Sequence, residues 1–307
     1  MRYSGIGGQA VMEGVMMKND DKYAVAVRKT NHEIELKVSK QKTSKTVDLL
    51  KKIPVLRGVV SFVDSLYLGM STLMYSASFF EEEEENKDSK KDVNSEKKEK
   101  VLMGLTVAFS IVMALAIFFA LPYFLSGFFK KIISSKMLLA FIEGVIRLTI
   151  LITYIGLISL TPDIKRTFMY HGAEHKCINC IEHGMELNVE NVRKSSKQHK
   201  RCGTSFLIIV MLISIVFFMF IRVDSKILQL LLRLLLVPVI AGVSFEFIRL
   251  AGRFDNPIVN ILSLPGLLMQ HLTVKEPDDD MIEVGIASVE AVFDWKKWQK
   301  EVSENDI

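Results

Sequence analysis

The sequence predicts a mainly α integral membrane protein of about four transmembrane helices. A small β-containing cytoplasmic region precedes them and an amphipathic helix follows. Three observations carry this. Half of the 307 residues are hydrophobic and the mean hydropathy is +0.27, although long charged stretches are present. The apolar residues gather in four runs, 101–121, 137–160, 204–221 and 227–248, each long enough to cross a hydrocarbon core at helical rise. Basic residues crowd the stretch before the first run and the loop 161–203, while the other two connections carry fewer. Positive charge stays inside, so both termini and that loop are expected on the cytoplasmic side of a bacterial membrane.

Composition excludes some classes. The formal charge of +4 gives no reason to expect nucleic acid. The three cysteines, Cys177, Cys180 and Cys202, are odd in number and lie together near histidines. That pattern fits a reduced compartment and a metal site better than a secreted disulfide framework. The opening residues have neither the basic start nor the apolar core of a secretory signal.

Residues 1–55 are expected to be a soluble region with a β-hairpin. The segments 23–27 and 34–38 alternate in part, with Thr30-Asn31-His32-Glu33 between them. The glycines of 5–14 suit tight turns beside short strands; a phosphate cradle would need a strand before them and a helix after. Residues 56–80 form an amphipathic helix with Leu56, Val59, Val63, Leu66, Tyr67, Met70 and Met74 on one face and Ser61, Asp64, Ser65 and Ser71 opposite. It can pack on the spans or lie on the membrane. Residues 81–100, five glutamates followed by mixed charge, lack an apolar face and read as a disordered linker.

The four-span region 101–250 follows. Its second run holds Glu143 and Arg147, four residues apart on one helix face, a pair able to neutralise itself. The fourth holds Arg233, Pro238 and Glu246. The remainder, 251–307, is expected in the cytoplasm, with turns at Asp255-Asn256-Pro257 and Leu264-Pro265-Gly266 and an amphipathic helix over 278–300.

The chemistry concentrates in 161–203. Thr161-Pro162-Asp163 starts a helix that carries His171, Glu174 and His175. At about 100° per residue the two imidazoles lie within about 40° of each other, one turn apart. The spacing His-x-x-Glu-His is the inverted zincin arrangement, with Glu174 at the flank, placed to orient a water. A second ligand pair, His199 and Cys202, stands at knuckle spacing just before the third run, and a short helix between carries Glu190. His199, Cys202 and Glu190 are alternatives to complete the set. Cys177 and Cys180 point about 120° and about 180° away from His171 on a straight helix, so they read as buried small residues. His183 reads as exposed, and His32 and His271 as isolated.

At these residues the chain resembles the YqhQ family of bacterial membrane proteins. The likeness runs through Gly7-Gly8-Gln9-Ala10-Val11-Met12-Glu13-Gly14, Arg57-Gly58-Val59-Val60 and Tyr170-His171-Gly172-Ala173-Glu174-His175-Lys176. It continues through Glu190-Asn191-Val192, His199-Lys200-Arg201-Cys202-Gly203-Thr204 and Leu272-Thr273-Val274-Lys275-Glu276-Pro277. Family members usually have Pro at Lys200 and Thr at Val274, neither a ligand type. The resemblance implies a membrane protein labelled a predicted metal-dependent enzyme.

Two readings of function result. In one, His171 and His175 hold zinc or another divalent metal with one or two of His199, Cys202 and Glu190, and Glu174 is the general base of a hydrolase. The basic residues Arg193, Lys194, Lys197, Lys200 and Arg201 would favour an anionic substrate. In the other, a closed four-ligand site is structural, and the protein is a membrane scaffold or an accessory factor in assembly or transport, with membrane-protein partners besides the lipid bilayer.

Overall fold

A computed structural model describes residues 3–41, 45–85, 93–221, 223, 225–254 and 256–304. The chain divides into two compact units. The first comprises Met1–Phe80, Gly156–Val210 and Ala241–Ile307; the second comprises Glu81–Ile155 and Met211–Ile240.

The first unit contains a four-stranded antiparallel meander, β1 (Gly7–Val11), β2 (Gly14–Asn19), β3 (Lys22–Arg28) and β4 (Ile34–Lys40), in that order. The expected hairpin is β3–β4; β1 and β2 were not expected. Both faces of β2 and β3 are covered, so their apolar run is nearly continuous and the alternation that marks a half-buried strand is weak. Val15, Met17, Ala24 and Ala26 pack on helices α6 (Pro162–Glu182) and α11 (Asp279–Val292), through Tyr170, Ala173, Cys177, Ile178, Met281 and Ile282. Met16, Val25 and Val27 face the other way, onto Leu68, Tyr75 and Phe79 of α2 (Leu56–Glu85). The β1–β2 turn is pinned by Glu13, whose backbone has φ 49° and whose carboxylate accepts from Arg166 Nε at 2.6 Å.

Of the two arrangements expected for the amphipathic helix α2, its apolar face is not the one packed inward. Gly58, Gly69, Thr72 and Ser76 are buried, with Leu68, while Val63, Leu66, Tyr67, Met70, Leu73 and Met74 are exposed. Helix α10 (Pro257–Thr273) behaves likewise: Ser263, Gly266, Gln270 and Thr273 face inward and Ile258, Ile261, Leu262 and Leu268 outward. The turn expected at Leu264-Pro265-Gly266 lies inside this helix. Small residues pack the protein side closely, and the large apolar side chains are left exposed. The expected C-terminal helix is two: α11, capped by Asp278 accepting from the Met281 N–H at 3.1 Å, and α12 (Trp295–Glu304) after a break at Phe293-Asp294. Short helices α1 (Lys45–Leu50) and α7 (Val189–Lys194) complete this unit.

The second unit is built largely from α3 (Val93–Leu115), a π turn at Ala116–Ala120, α4 (Leu121–Gly127), a 3-10 turn at Phe128–Lys131, and parts of α5 (Lys136–Ile158), α8 (Gly203–Met219) and α9 (Lys226–Arg253). The expected linker is helical at both ends, since α2 runs through Glu85 and α3 starts at Val93; 86–92 lie outside the described residues. Glu and Lys are good helix formers, which extends a helix without an apolar face. Among the described residues, three stretches are long and apolar enough to cross a membrane: Gly104–Lys131, Lys136–Ile158 and Ile227–Gly252. The third expected span is α8, an apolar helix of 17 residues. At about 1.5 Å per residue it rises about 25 Å, short of a hydrocarbon core of about 30 Å.

Candidate metal centre

Helix α6 begins as the sequence suggests, with Thr161 as cap residue and Pro162 in the first turn, although the Thr161 hydroxyl donates backward to the Ile158 carbonyl at 2.7 Å. Its polar face is buried and sutures the loop 195–202 in place. Lys176 donates to the Arg193 and Ser195 carbonyls, both at 2.9 Å, and Asn179 to those of Ser196 at 2.6 Å and Gln198 at 2.9 Å. Gln270 of α10 holds the same loop, donating to the His199 carbonyl at 2.6 Å and accepting from its N–H at 2.9 Å. Buried polar groups are costly unless paired, so a loop tied this often has one conformation.

That conformation brings Cys202 to the histidine pair. His171 Nδ1 lies 3.0 Å from the Thr273 carbonyl and His175 Nδ1 2.6 Å from the Lys197 carbonyl. A carbonyl only accepts, so each Nδ1 carries the proton and each Nε2 is left with its lone pair in the neutral ring. Cys202 Sγ sits 3.2 Å from His171 Nε2 and 3.1 Å from Thr204 Oγ1. One donor atom from each of His171, His175 and Cys202 lies within 4.8 Å of the others. A tetrahedral zinc needs such atoms roughly 3.3–3.7 Å apart. Two imidazoles with fixed tautomers and a thiolate are a donor set of the right chemistry, so these residues fit a zinc-like ion.

Gly172 makes the Thr273 contact possible. A Cβ there would collide with the Lys275 carbonyl, so only glycine lets the 273–275 backbone approach α6. Gly8 plays the corresponding part on the other side: a Cβ would stand 2.8 Å from Glu174 Cγ and 2.7 Å from the Met16 carbonyl. The glycine-rich start of the chain is thus a strand that lies against the base candidate. Its role was not expected, and no spacing rule signals it.

Electrostatics follow from burial and proximity. Burial resists ionisation of Cys202, but His171 and His175 outweigh it and hold the thiol well below its usual range. Burial likewise resists protonation of His171, yet the Cys202 sulfur and Glu174 raise its pKa to about 9. Glu174 is 5% exposed, its Oε2 is 3.7 Å from His171 Nε2, and burial raises its carboxyl above the ordinary value against the pull of the two histidines. A cavity of about 570 Å³ opens beside the group, lined by Gly8, His171, Glu174, His175, Arg201 and Cys202.

Of the three alternatives for completing the set, the fold brings in Cys202. His199 stands one ring further out, 5.7 Å from His175 between centroids, with its Nε2 3.5 Å from Glu182. Burial lowers its pKa. Glu182 also accepts from Arg201 and from Ser4 N–H at 3.0 Å and Oγ at 2.7 Å. Glu190 is on the surface, its side chain 72% exposed and paired with Lys194 at 2.7 Å. Cys177 and Cys180 are in the apolar core, and His183 and His32 are exposed. His271 is not isolated: its Nε2 is 3.3 Å from Gln198 Nε2. The expected basic cluster is largely neutralised. Arg193 pairs with Asp279, Lys194 with Glu190, Lys197 with Glu276 and Arg201 with Glu182, which removes the argument for an anionic substrate.

A family model described as protein of unknown function (DUF1385) matches residues 53–295. The chain is 35% identical over 291 residues to the uncharacterized protein YqhQ of Bacillus subtilis (strain 168), a match covering 92% of this chain and 90% of that one. No solved structure matches the chain. The chain belongs to the DUF1385 family, and the likeness to the YqhQ family read from its motifs is one of membership.

Proposed function

We propose that this protein is a polytopic membrane protein whose cytoplasm-facing site, His171, His175 and Cys202, holds a divalent metal ion, zinc by donor type, and serves a hydrolase. The observation that carries the reading is the number of converging protein donors beside a cavity. The three donors found among the described residues leave a tetrahedral ion one open position, the mark of catalytic sites, whereas structural sites are closed by four. A bound ion would supply Lewis acidity and acidify water next to it. Glu174 is the base in this reading. It lines the cavity, and burial raises its carboxyl above the ordinary value, the direction that suits a group taking a proton from water and returning it to a leaving group. The Thr273 and Lys197 carbonyls fix the tautomers, and Gly8 keeps Glu174 in line.

Four membrane spans, α8 included, with both termini and the loop 161–203 in the cytoplasm, accord with the basic flanks. Outward apolar faces on α2 and α10 suit contact with lipid. A second reading is favoured by the 3.7 Å between Glu174 Oε2 and His171 Nε2. Glu174 as fourth ligand would close the shell and make the site structural, as in a scaffold or an accessory factor for membrane-protein assembly. Glu174→Gln separates the two. The hydrolase keeps its metal and fold and loses turnover on a panel of ester, amide and phosphate substrates. A scaffold closed by Glu174 loses metal affinity or thermal stability instead.

A further inference from the structure

The second unit has a polar centre that the proposed function does not use. Glu143 and Arg147 stand one turn apart on α5. The Arg147 guanidinium donates to the Glu143 carboxylate at 2.8 Å, and its Nε donates to the Phe118 carbonyl at 2.9 Å. Arg233 of α9 donates to the same carboxylate. All three side chains are at most 5% exposed. One carboxylate therefore serves two guanidinium groups, and arginine stays charged in proteins. The centre is left with net positive charge among Phe119, Tyr123 and Phe218. Over 101–155 and 211–240, the second unit without its highly charged stretch 81–100, the acids are Glu143 and Asp224, against four lysines and arginines in the first stretch and three in the second. Asp224 lies outside the described residues.

Two buried polar atoms at this centre have no hydrogen-bond partner among the described residues: Arg233 Nε and the Tyr123 hydroxyl. An unsatisfied buried donor costs free energy, and more so beside an uncompensated charge. A cavity of about 540 Å³ adjoins both, and Gly127 and Lys130 also line it. Lys130 Nζ is 5.3 Å from the Tyr123 ring centroid, which puts a second cation where the chain leaves the span. The remaining wall is apolar, and Phe124, Ile227 and Leu230 line the cavity while also being exposed on the outside. The cavity is thus cationic at one place and bordered by exposed apolar side chains at another.

We propose that this cavity binds a phosphate-bearing anion held by Arg233, Tyr123 and Lys130, carried by a lipid whose acyl chain lies along Phe124, Ile227 and Leu230. The deficit of acid, the two unpartnered atoms and the lateral apolar opening each call for one part of such a molecule.

The test uses the full chain, purified in neutral detergent and stripped of lipid. Thermal unfolding is followed with added phosphatidylglycerol, phosphatidylcholine or inorganic phosphate. Phosphatidylglycerol should raise the midpoint by about 5 °C and phosphatidylcholine should not. Gly127→Leu should fold, because the first atom it adds, a Cβ, meets no atom within 4 Å, and should reduce the shift by crowding the cavity. Lys130→Gln should reduce it. An equal shift from inorganic phosphate alone supports the anion site and assigns it to a free anion. Equal shifts from the two lipids, or a phosphatidylglycerol shift undiminished in both variants, overturns the proposal.

Discussion

Replacing Glu182 by Gln tests how the site is held. Glu182 is 2% exposed and accepts from Ser4, His199 and Arg201. Burial alone would raise its carboxyl, but His199, Arg201 and the Ser4 N–H outweigh it and hold the pKa at about 2, against an ordinary 4.5. At about 1.4 kcal/mol per pH unit this coupling contributes roughly 3 kcal/mol at neutral pH. The folded pKa is the lower one, so the contribution is complete above the unfolded value. It is lost as pH falls from about 4.5 to about 2. Gln keeps the shape, removes the charge and leaves Arg201, 12% exposed, without its counter-ion. We expect a loss of about 3 kcal/mol at pH 7, or roughly 6–12 °C in the midpoint of thermal unfolding. The variant should also lose much of the wild-type acid sensitivity between pH 4.5 and pH 2. Melting curves of the detergent-solubilised full chain, recorded by tryptophan fluorescence, measure both. A midpoint within 2 °C of wild type at pH 7, with an unchanged acid limb, would refute the idea that this carboxylate anchors the 199–202 loop.

Gly8→Ala should displace Glu174 or the β1 strand, costing about 1–3 kcal/mol and reducing any turnover while leaving metal content near wild type; differential scanning fluorimetry with metal analysis checks it. A cysteine placed at Lys197 should resist a membrane-impermeant maleimide in intact cells and react after permeabilisation; labelling from outside would reverse the proposed orientation.

How much was readable depended on whether the cause was local. The start of α6 was readable because Thr161-Pro162-Asp163 acts through adjacent backbone, and the shared face of His171 and His175 because helical rotation fixes it. The same rotation correctly turned Cys177 and Cys180 away. Cys202 entered as one of three alternatives, because a loop sets its position, and that loop is fixed by Lys176, Asn179 and Gln270, residues with no ligand chemistry of their own. Glu190 looked equivalent in sequence and lies on the far surface with Lys194. Strand β2 is hidden because its two covered faces erase the alternation, and β1 because its glycines weaken strand propensity. Helix α10 escaped because Pro265 reads as a turn, yet it is accommodated inside a helix. Arg233 as partner of Glu143 is a contact between distant helices, beyond any local rule.

If His171, His175 and Cys202 form one metal centre, metal content by mass spectrometry of the full chain, purified without chelator and reconstituted with zinc, shows it directly. About one ion per chain is expected in the wild type and in Cys177→Ser, Cys180→Ser and Glu190→Gln. Most of that ion should be lost in each of His171→Ala, His175→Ala and Cys202→Ser. A wild type that takes up no zinc, or a Cys202→Ser variant that keeps a full complement while Glu190→Gln loses it, would contradict it.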